Sequence, residues 1–186
     1  MKKISGFIIK LFGWNFVGEI PKDKKYVIVS IPHTSMWDFI WGKLTFWHAG
    51  IKPVVFIKKE LFFFPLGPLL TALGAKPINR SRSTGMVEQV IDYFNQNDEF
   101  CICITPEGTR KLAPKLKRGF YFIATQANVP LYLGILDYKE KKLYIGERYM
   151  PTGDIENDMS YIHEYYVRKN PTGKHPEQFS TDSIRI

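Results

Sequence analysis

The sequence predicts an α/β fold, a single domain with a mixed, mostly parallel sheet flanked by helices. Three observations lead there. Runs of β-branched and aromatic residues alternate with segments whose apolar residues recur at helical spacing. A chain of 186 residues fits one domain, and at that length about 70% of the unfolded surface is buried without help from disulfides. No internal repeat, low-complexity tract or linker divides the chain, so residues 1–186 are expected to form one unit.

In chain order, MKKISGFIIKLFGWNF opens with an amphipathic helix expected over residues 1–18, where Ile4, Phe7, Ile8, Leu11 and Phe12 share a face edged by lysines. The segment is too short and too interrupted to span a bilayer, and it lacks the small-residue cleavage site of a secretory signal. Its apolar face suits a membrane interface or the edge of the domain's own core, and the pattern is the same for both. Tyr26 to Ile31 (YVIVSI) reads as a buried strand ended by Pro32, which cannot donate to a ladder. Ser35-Met-Trp-Asp38 is a Ser-x-x-acid helix start, and the helix runs to about Ala49.

IKPVVFIKK is a second strand, followed by LFFFPLGPLLTALGA, fifteen uncharged residues broken by Pro65, Gly67 and Pro68. That stretch suits a buried segment, an apolar wall or a shallow membrane-contacting patch. KPINR gives a short strand ending at Arg80, and SRSTGMVEQVIDYFNQ a helix. In the strand EFCICIT, alternation puts Cys101 and Cys103 on one face, which favours core packing in a reducing compartment over metal or redox work. After a basic loop come a helix over RGFYFIATQA, the strand pair VPLYLGILDY and KLYIGERYM, a last helix over IENDMSYIHEYYVRK, and a polar, proline-containing end.

Lysine and arginine number 26 against 18 acids, a net charge of +8, which points to an anionic partner: acidic phospholipid, an acidic carrier protein or nucleic acid. The charge is uneven, with six lysines in residues 1–25 and five cations without an acid from Arg110 to Arg118. The aromatic residues lie mostly in apolar runs and are not interleaved with cations, so no nucleic acid is expected.

Parallel strands deliver their carboxyl-terminal loops to one edge, and two such loops carry chemistry. His33 follows the first strand and Asp38 lies in the next helical turn. On a continuous helix these positions would splay by roughly 140°, but a strand-turn-helix break lets the carboxylate meet the imidazole, fix its tautomer and leave the second ring nitrogen as a general base. The plainer reading makes Asp38 a capping-box acid and His33 a loop residue. Pro106-Glu107-Gly108-Thr109-Arg110 follows another strand and offers backbone access, a hydroxyl and a guanidinium to an anion, or else a solvated turn. Glu107 is expected to accept from a ligand hydroxyl or to hold Arg110. Arg80 is a second strand-end cation. His48, His163 and His175 lack ligand spacing, so no metal is expected.

These segments resemble the glycerolipid acyltransferase family, the lysophosphatidate acyltransferases and their relatives. His33-Thr-Ser-Met-Trp-Asp38 is similar to the family's His-x4-Asp block, and KKELFFFPLGPLLTALGAKPINR, from Lys58 to Arg80, to its second block. Ile104-Thr-Pro-Glu-Gly-Thr-Arg110 is similar to the third and Val129-Pro-Leu-Tyr-Leu133 to the fourth, so the motif-bearing core spans residues 33–133. The chain departs from the pattern at Thr105, where an aromatic is usual, and at Lys111, where a serine is common. His175 to Phe179 (HPEQF) resembles the carboxyl end of the lipid A acyltransferase branch.

The resemblance implies a glycerolipid acyltransferase-like fold and an O-acyltransferase that moves an acyl group from acyl-CoA or acyl carrier protein to a lysophospholipid, glycerol-phosphate or lyso-aminolipid hydroxyl. It implies His33 and Asp38 as catalytic residues, and Lys58, Arg80, Glu107, Gly108, Thr109 and Arg110 around the acceptor's anionic head. No cofactor beyond the acyl donor is expected, and the place is peripheral, on the inner face of the cell membrane. The competing class is a non-catalytic basic domain that grips anionic lipid or nucleic acid.

Overall fold

The computed structural model describes residues 1–78 and 83–184. Helix α1 (Lys2–Leu11) leads into a short strand β1 (Asn15–Val17), then β2 (Lys25–Ile31), α2 (Trp37–Ala49) and β3 (Val55–Lys58). Next come α3 (Leu66–Ala72), β4 (Ala75–Ile78), α4 (Ser83–Gln96), β5 (Phe100–Ile104), α5 (Gly119–Gln126), the pair β6 (Leu131–Asp137) and β7 (Lys142–Tyr149), and α6 (Ile155–Lys169). The opening helix is therefore shorter than the expected residues 1–18. Glycine at 13 has a positive φ, and the chain turns there so that Asn15–Val17 pairs with β7.

The sheet runs β1-β7-β6-β2-β5. Only β6 and β7 are antiparallel, joined by a tight charged turn, while β2 pairs parallel with both β5 and β6. Beyond β5 the ladder continues through Val54, whose N–H donates to the Cys101 carbonyl at 2.8 Å and whose carbonyl accepts from Cys103 at 3.0 Å. That bridge, also parallel, leads to the two-stranded parallel pair of β3 and β4. The mixed, mostly parallel sheet of the sequence reading is thus the sheet observed.

The period-2 alternation of β2 sorts its side chains into two layers. Val27, Val29 and Ile31 join Ile102, Leu131 and Leu133 under α4, α5 and α6, whose Phe94, Phe120, Ile162 and Tyr166 are almost fully buried. Tyr26 and Ile28 face the other way with Tyr132 and Ile145, against Ala49 and the two cysteines. Ile9 and Trp14 continue that layer beside Trp41, Leu44, Leu136 and Leu143. Cys101 and Cys103 are free and half-buried in it, in keeping with a packing role.

Two apolar stretches stay outside these layers. On α1, Ser5 and Ile9 are buried and Ile8 packs partly against the core, whereas Ile4, Phe7 and Leu11, and Phe12 just after the helix, are exposed, so most of the expected apolar face points away from the core. In the uncharged segment, Leu61, Phe63, Phe64 and Leu69 are exposed as well. The buried reading of that stretch is corrected here: α3 packs on β4, and these apolar side chains remain exposed. Among the described residues, no helix is long and apolar enough to cross a membrane.

Candidate active site

Because β2, β5 and β6 run parallel, their carboxyl ends open on one edge, and each hands a loop to the same place. The loop after β2 carries His33. The chain breaks between Ile31 and the first turn of α2, and the imidazole folds back so that its Nδ1 lies 3.1 Å from Asp38 Oδ2. The same carboxylate oxygen accepts the backbone N–H of Thr34 at 2.7 Å and of Ser35 at 2.8 Å. The capping reading and the dyad reading of Asp38 are therefore both realised by one oxygen. Ser35 completes the turn by accepting from the Trp37 N–H at 3.3 Å, although the helix itself begins two residues later than its motif suggests.

Asp38 Oδ1 accepts the Tyr138 hydroxyl at 2.7 Å. Burial pushes the Asp38 carboxyl up, but the donors from His33, Tyr138, Ser35 and Thr34 together hold it below the usual carboxylate range. Burial, reinforced by the neighbouring carboxylate, pushes the Tyr138 hydroxyl far up, so it stays a donor. An ionised carboxylate can only accept, which places the His33 proton on Nδ1 and leaves Nε2 with its lone pair. The His33 side chain keeps 23% of its surface exposed, whereas Asp38 keeps 7%. The carboxylate is sealed and the imidazole is open.

The loop after β5 carries Pro106-Glu-Gly-Thr-Arg110. Glu107 Oε1 accepts the backbone N–H of His33 at 2.8 Å. Its Oε2 is buried without a partner among the described residues, and burial pushes the carboxyl up to about 7 against the opposing pull of the His33 N–H. Glu107 is thus a support beneath the His33 loop. The acid lies inward of the turn, where that N–H is the donor at hand.

Gly108, Thr109 and Arg110 are exposed on the outer side of the turn. Gly108 has φ +65°, a conformation that favours glycine, and the flexible end of Lys117 lies over it, with Nζ 2.6 Å from where a Cβ would stand. The Lys117 N–H fixes the basic loop there by donating to the Pro106 carbonyl at 2.8 Å. Thr109 Oγ1 accepts from the Lys111 N–H at 3.2 Å. Lys58 ends β3 and is exposed on the side where β3 continues the parallel ladder. Arg80 lies outside the described residues. No cluster of metal-ligating side chains occurs among those described.

Sequence reasoning singled out neither Tyr138 nor Lys117. Tyr138 closes a strand with no local motif, and only the fold reveals that it returns to a carboxylate 100 positions earlier. Lys117 was visible only as one charge in a basic run.

A family model described as Acyltransferase matches residues 15–133. A search of the curated proteins finds no match. Among solved structures, the chain is similar to the 1-acyl-sn-glycerophosphate acyltransferase PlsC from Thermotoga maritima, with a TM-score of 0.61 and 19% identity, covering 90% of this chain and 76% of that one. At that identity the likeness concerns the fold.

Proposed function

The chain belongs to the acyltransferase family, and from that premise we propose that it transfers a fatty acyl group from an acyl thioester to the hydroxyl of a lysophospholipid or glycerol-phosphate-like acceptor. The observation that carries this reading is the His33 Nδ1 contact with Asp38, which leaves Nε2 open at the sheet edge where the Arg110 loop arrives. Nε2 takes the proton of the acceptor hydroxyl as its oxygen attacks the thioester carbonyl carbon. The carbon–sulfur bond then breaks, and the thiol, with an ordinary pKa of about 8.5, departs as thiolate and can recover the proton from the imidazolium. No covalent enzyme intermediate is needed, and Cys101 and Cys103 sit within the core.

Arg110, Lys58 and Arg80 would hold the anionic head of the acceptor, with Gly108 and Thr109 shaping the turn around it and Lys117 adding a cation. A phosphate-bearing acceptor is favoured by these cations and by the 1-acyl-sn-glycerophosphate named for the structural neighbour. The exposed apolar face of α1 and the exposed Phe63, Phe64 and Leu69 support peripheral contact with an anionic bilayer. The basic loop suits the negative surface of either acyl-CoA or an acyl carrier protein.

The test is incubation of purified protein with labelled acyl-CoA or acyl carrier protein and a panel of lysolipids, with products identified by mass spectrometry. Acylated lipid with wild type and none with His33→Ala is the expected result. Free fatty acid alone, with or without acceptor, would replace transfer by thioester hydrolysis.

A further inference from the structure

The dyad and the turn after β5 lie inside residues 15–133, the part matched by the family model. The segment that follows α6 lies outside it, and yet it returns to every loop of the site. The Thr172 carbonyl accepts the Tyr138 N–H at 2.8 Å, fixing the residue whose hydroxyl holds Asp38 Oδ1. Gly173 lies so close to Thr34 that a Cβ there would stand 2.7 Å from both Thr34 Cγ2 and Oγ1. The His175 N–H donates to Thr34 Oγ1 at 3.3 Å, and Lys174 Nζ sits 4.9 Å over the Trp37 ring at the start of α2. Farther on, the Ser183 carbonyl accepts from Leu116 at 2.9 Å and the Ser183 hydroxyl donates to Ala113 at 2.5 Å, pinning the basic loop.

Gln178 stands at the centre of this path. Its carboxamide faces two backbone oxygens, the Thr34 carbonyl and the Arg110 carbonyl, so it is the NH2 group that must point there. Oriented in this way, Nε2 donates to Thr34 O at 3.1 Å and also to Arg110 O. One amide then spans the loop after β2 and the loop after β5. No main-chain hydrogen bond does that job at this point: the only other link between these loops is the His33 N–H to Glu107 among the bonds of the described residues.

We propose that Thr172–Ser183 is a strap that positions the catalytic loops, with Gln178 as its clamp. The strap rests on the reading of His33 as the base. It acts by fixing the backbone that places the imidazole against Asp38 and sets the distance from that imidazole to the anion-binding turn. Gln178 is a positioning residue, because it touches carbonyls of both loops and not the reacting atoms.

The experiment uses the full chain with Gln178→Met, which keeps the side chain's length and removes both donors, and Gln178→Glu, whose ionised form can only accept. The expected result is a kcat lower by about tenfold or more with KM for the acyl donor within about twofold, since loop placement is felt in the transition state more than in donor binding. Amide hydrogen exchange at His33, Thr34 and Ser35 should be about tenfold faster in both variants, with the β2 and β6 cores unchanged. Acidification should restore part of the loss in Gln178→Glu but not in Gln178→Met, because a protonated carboxyl regains one donor. Folded variants with exchange at residues 33–35 and kcat both within about twofold of wild type would overturn the strap. If either fails to fold, Gln178→Asn, too short to reach both carbonyls, is judged by the same two readouts. Exchange is read without substrate, so a wild-type protein that transfers no acyl group refutes the proposed function while the exchange result still decides the strap.

Discussion

Tyr138 donates its hydroxyl to Asp38 Oδ1 at 2.7 Å, joining the corner after β6 to the first turn of α2. With it, both oxygens of a buried carboxylate are engaged. Removing this donor with Tyr138→Phe should cost about 1.5–3 kcal/mol, the usual range for a hydrogen bond to a charged group. A group whose folded pKa is depressed lends stability above its ordinary value and loses it as pH falls through the folded one. The Phe variant brings the Asp38 carboxyl back toward its ordinary range, so acid unfolding followed by circular dichroism should begin at higher pH than in wild type. An unchanged acid midpoint would show that the hydroxyl contributes nothing to holding the carboxylate ionised.

His33→Ala and Asp38→Asn should fail for different reasons. The first removes the proposed base, and a loss of about 10²–10⁴-fold in turnover is expected with the fold intact, since the side chain is partly exposed. Asn at 38 presents either an amide N–H or a single carbonyl to Nδ1 and the two backbone donors. If the N–H faces Nδ1, the ring proton moves to Nε2 and the base is lost although the imidazole remains. If the carbonyl faces it, the NH2 takes the place of Oδ1 and the Tyr138 hydroxyl loses its acceptor. Asp38→Asn should therefore lower the melting temperature as well as turnover, and His33→Ala only turnover. Equal thermal losses would mean that the histidine is a structural residue of the loop.

Glu107 predicts a pH dependence of the opposite sign. Burial raises its carboxyl from 4.5 to about 7, so the protein prefers the protonated form. Its contribution to stability is fully present below pH about 4.5 and is lost as pH rises through about 7. The difference corresponds to about 3 kcal/mol. Glu107→Gln keeps an oxygen for the His33 N–H and cannot ionise. Denaturant unfolding should find the variant gaining on wild type between pH 5 and 8, and a constant difference across that window would mean that the carboxyl titrates normally in the fold.

Much of this architecture was legible in the sequence. Tyr26 to Ile31, the FCICI run and the helix over residues 155–169 lie where alternation and helical spacing place them, because their burial patterns are strong and local. His33 and Asp38 were legible as a pair, and their meeting depends on a strand-turn-helix break that Pro32 and Ser35 announce. Asn15–Val17 was not legible as a strand. Three residues carry no periodicity, and the pairing with β7 is made across more than half the chain. Tyr138 and Gln178 were hidden for the same reason: each serves the site through a contact with a distant loop, and neither stands in a motif that local chemistry requires. The contact of Glu107 with the His33 N–H was not legible, since composition cannot tell which side of a turn a carboxylate faces.

The exposed face of α1 separates the two uses that its pattern left open. Phe7 and Leu11 are 66% and 67% exposed, while Ser5, Ile8 and Ile9 face the rest of the domain. A side chain already in water contributes little to folding. Phe7→Ser combined with Leu11→Ser should accordingly leave the melting temperature within a degree or two of wild type. In a bilayer interface the same two side chains are removed from water, each worth about 1.5–3 kcal/mol when fully buried, and Lys2, Lys3 and Lys10 on the same helix would favour anionic headgroups. Partitioning into vesicles containing phosphatidylglycerol, measured by sedimentation, should fall by about tenfold or more in the double variant. Binding of the wild type should also weaken as salt is raised. A double variant that melts much earlier yet binds vesicles as before would assign the face to the protein's own core.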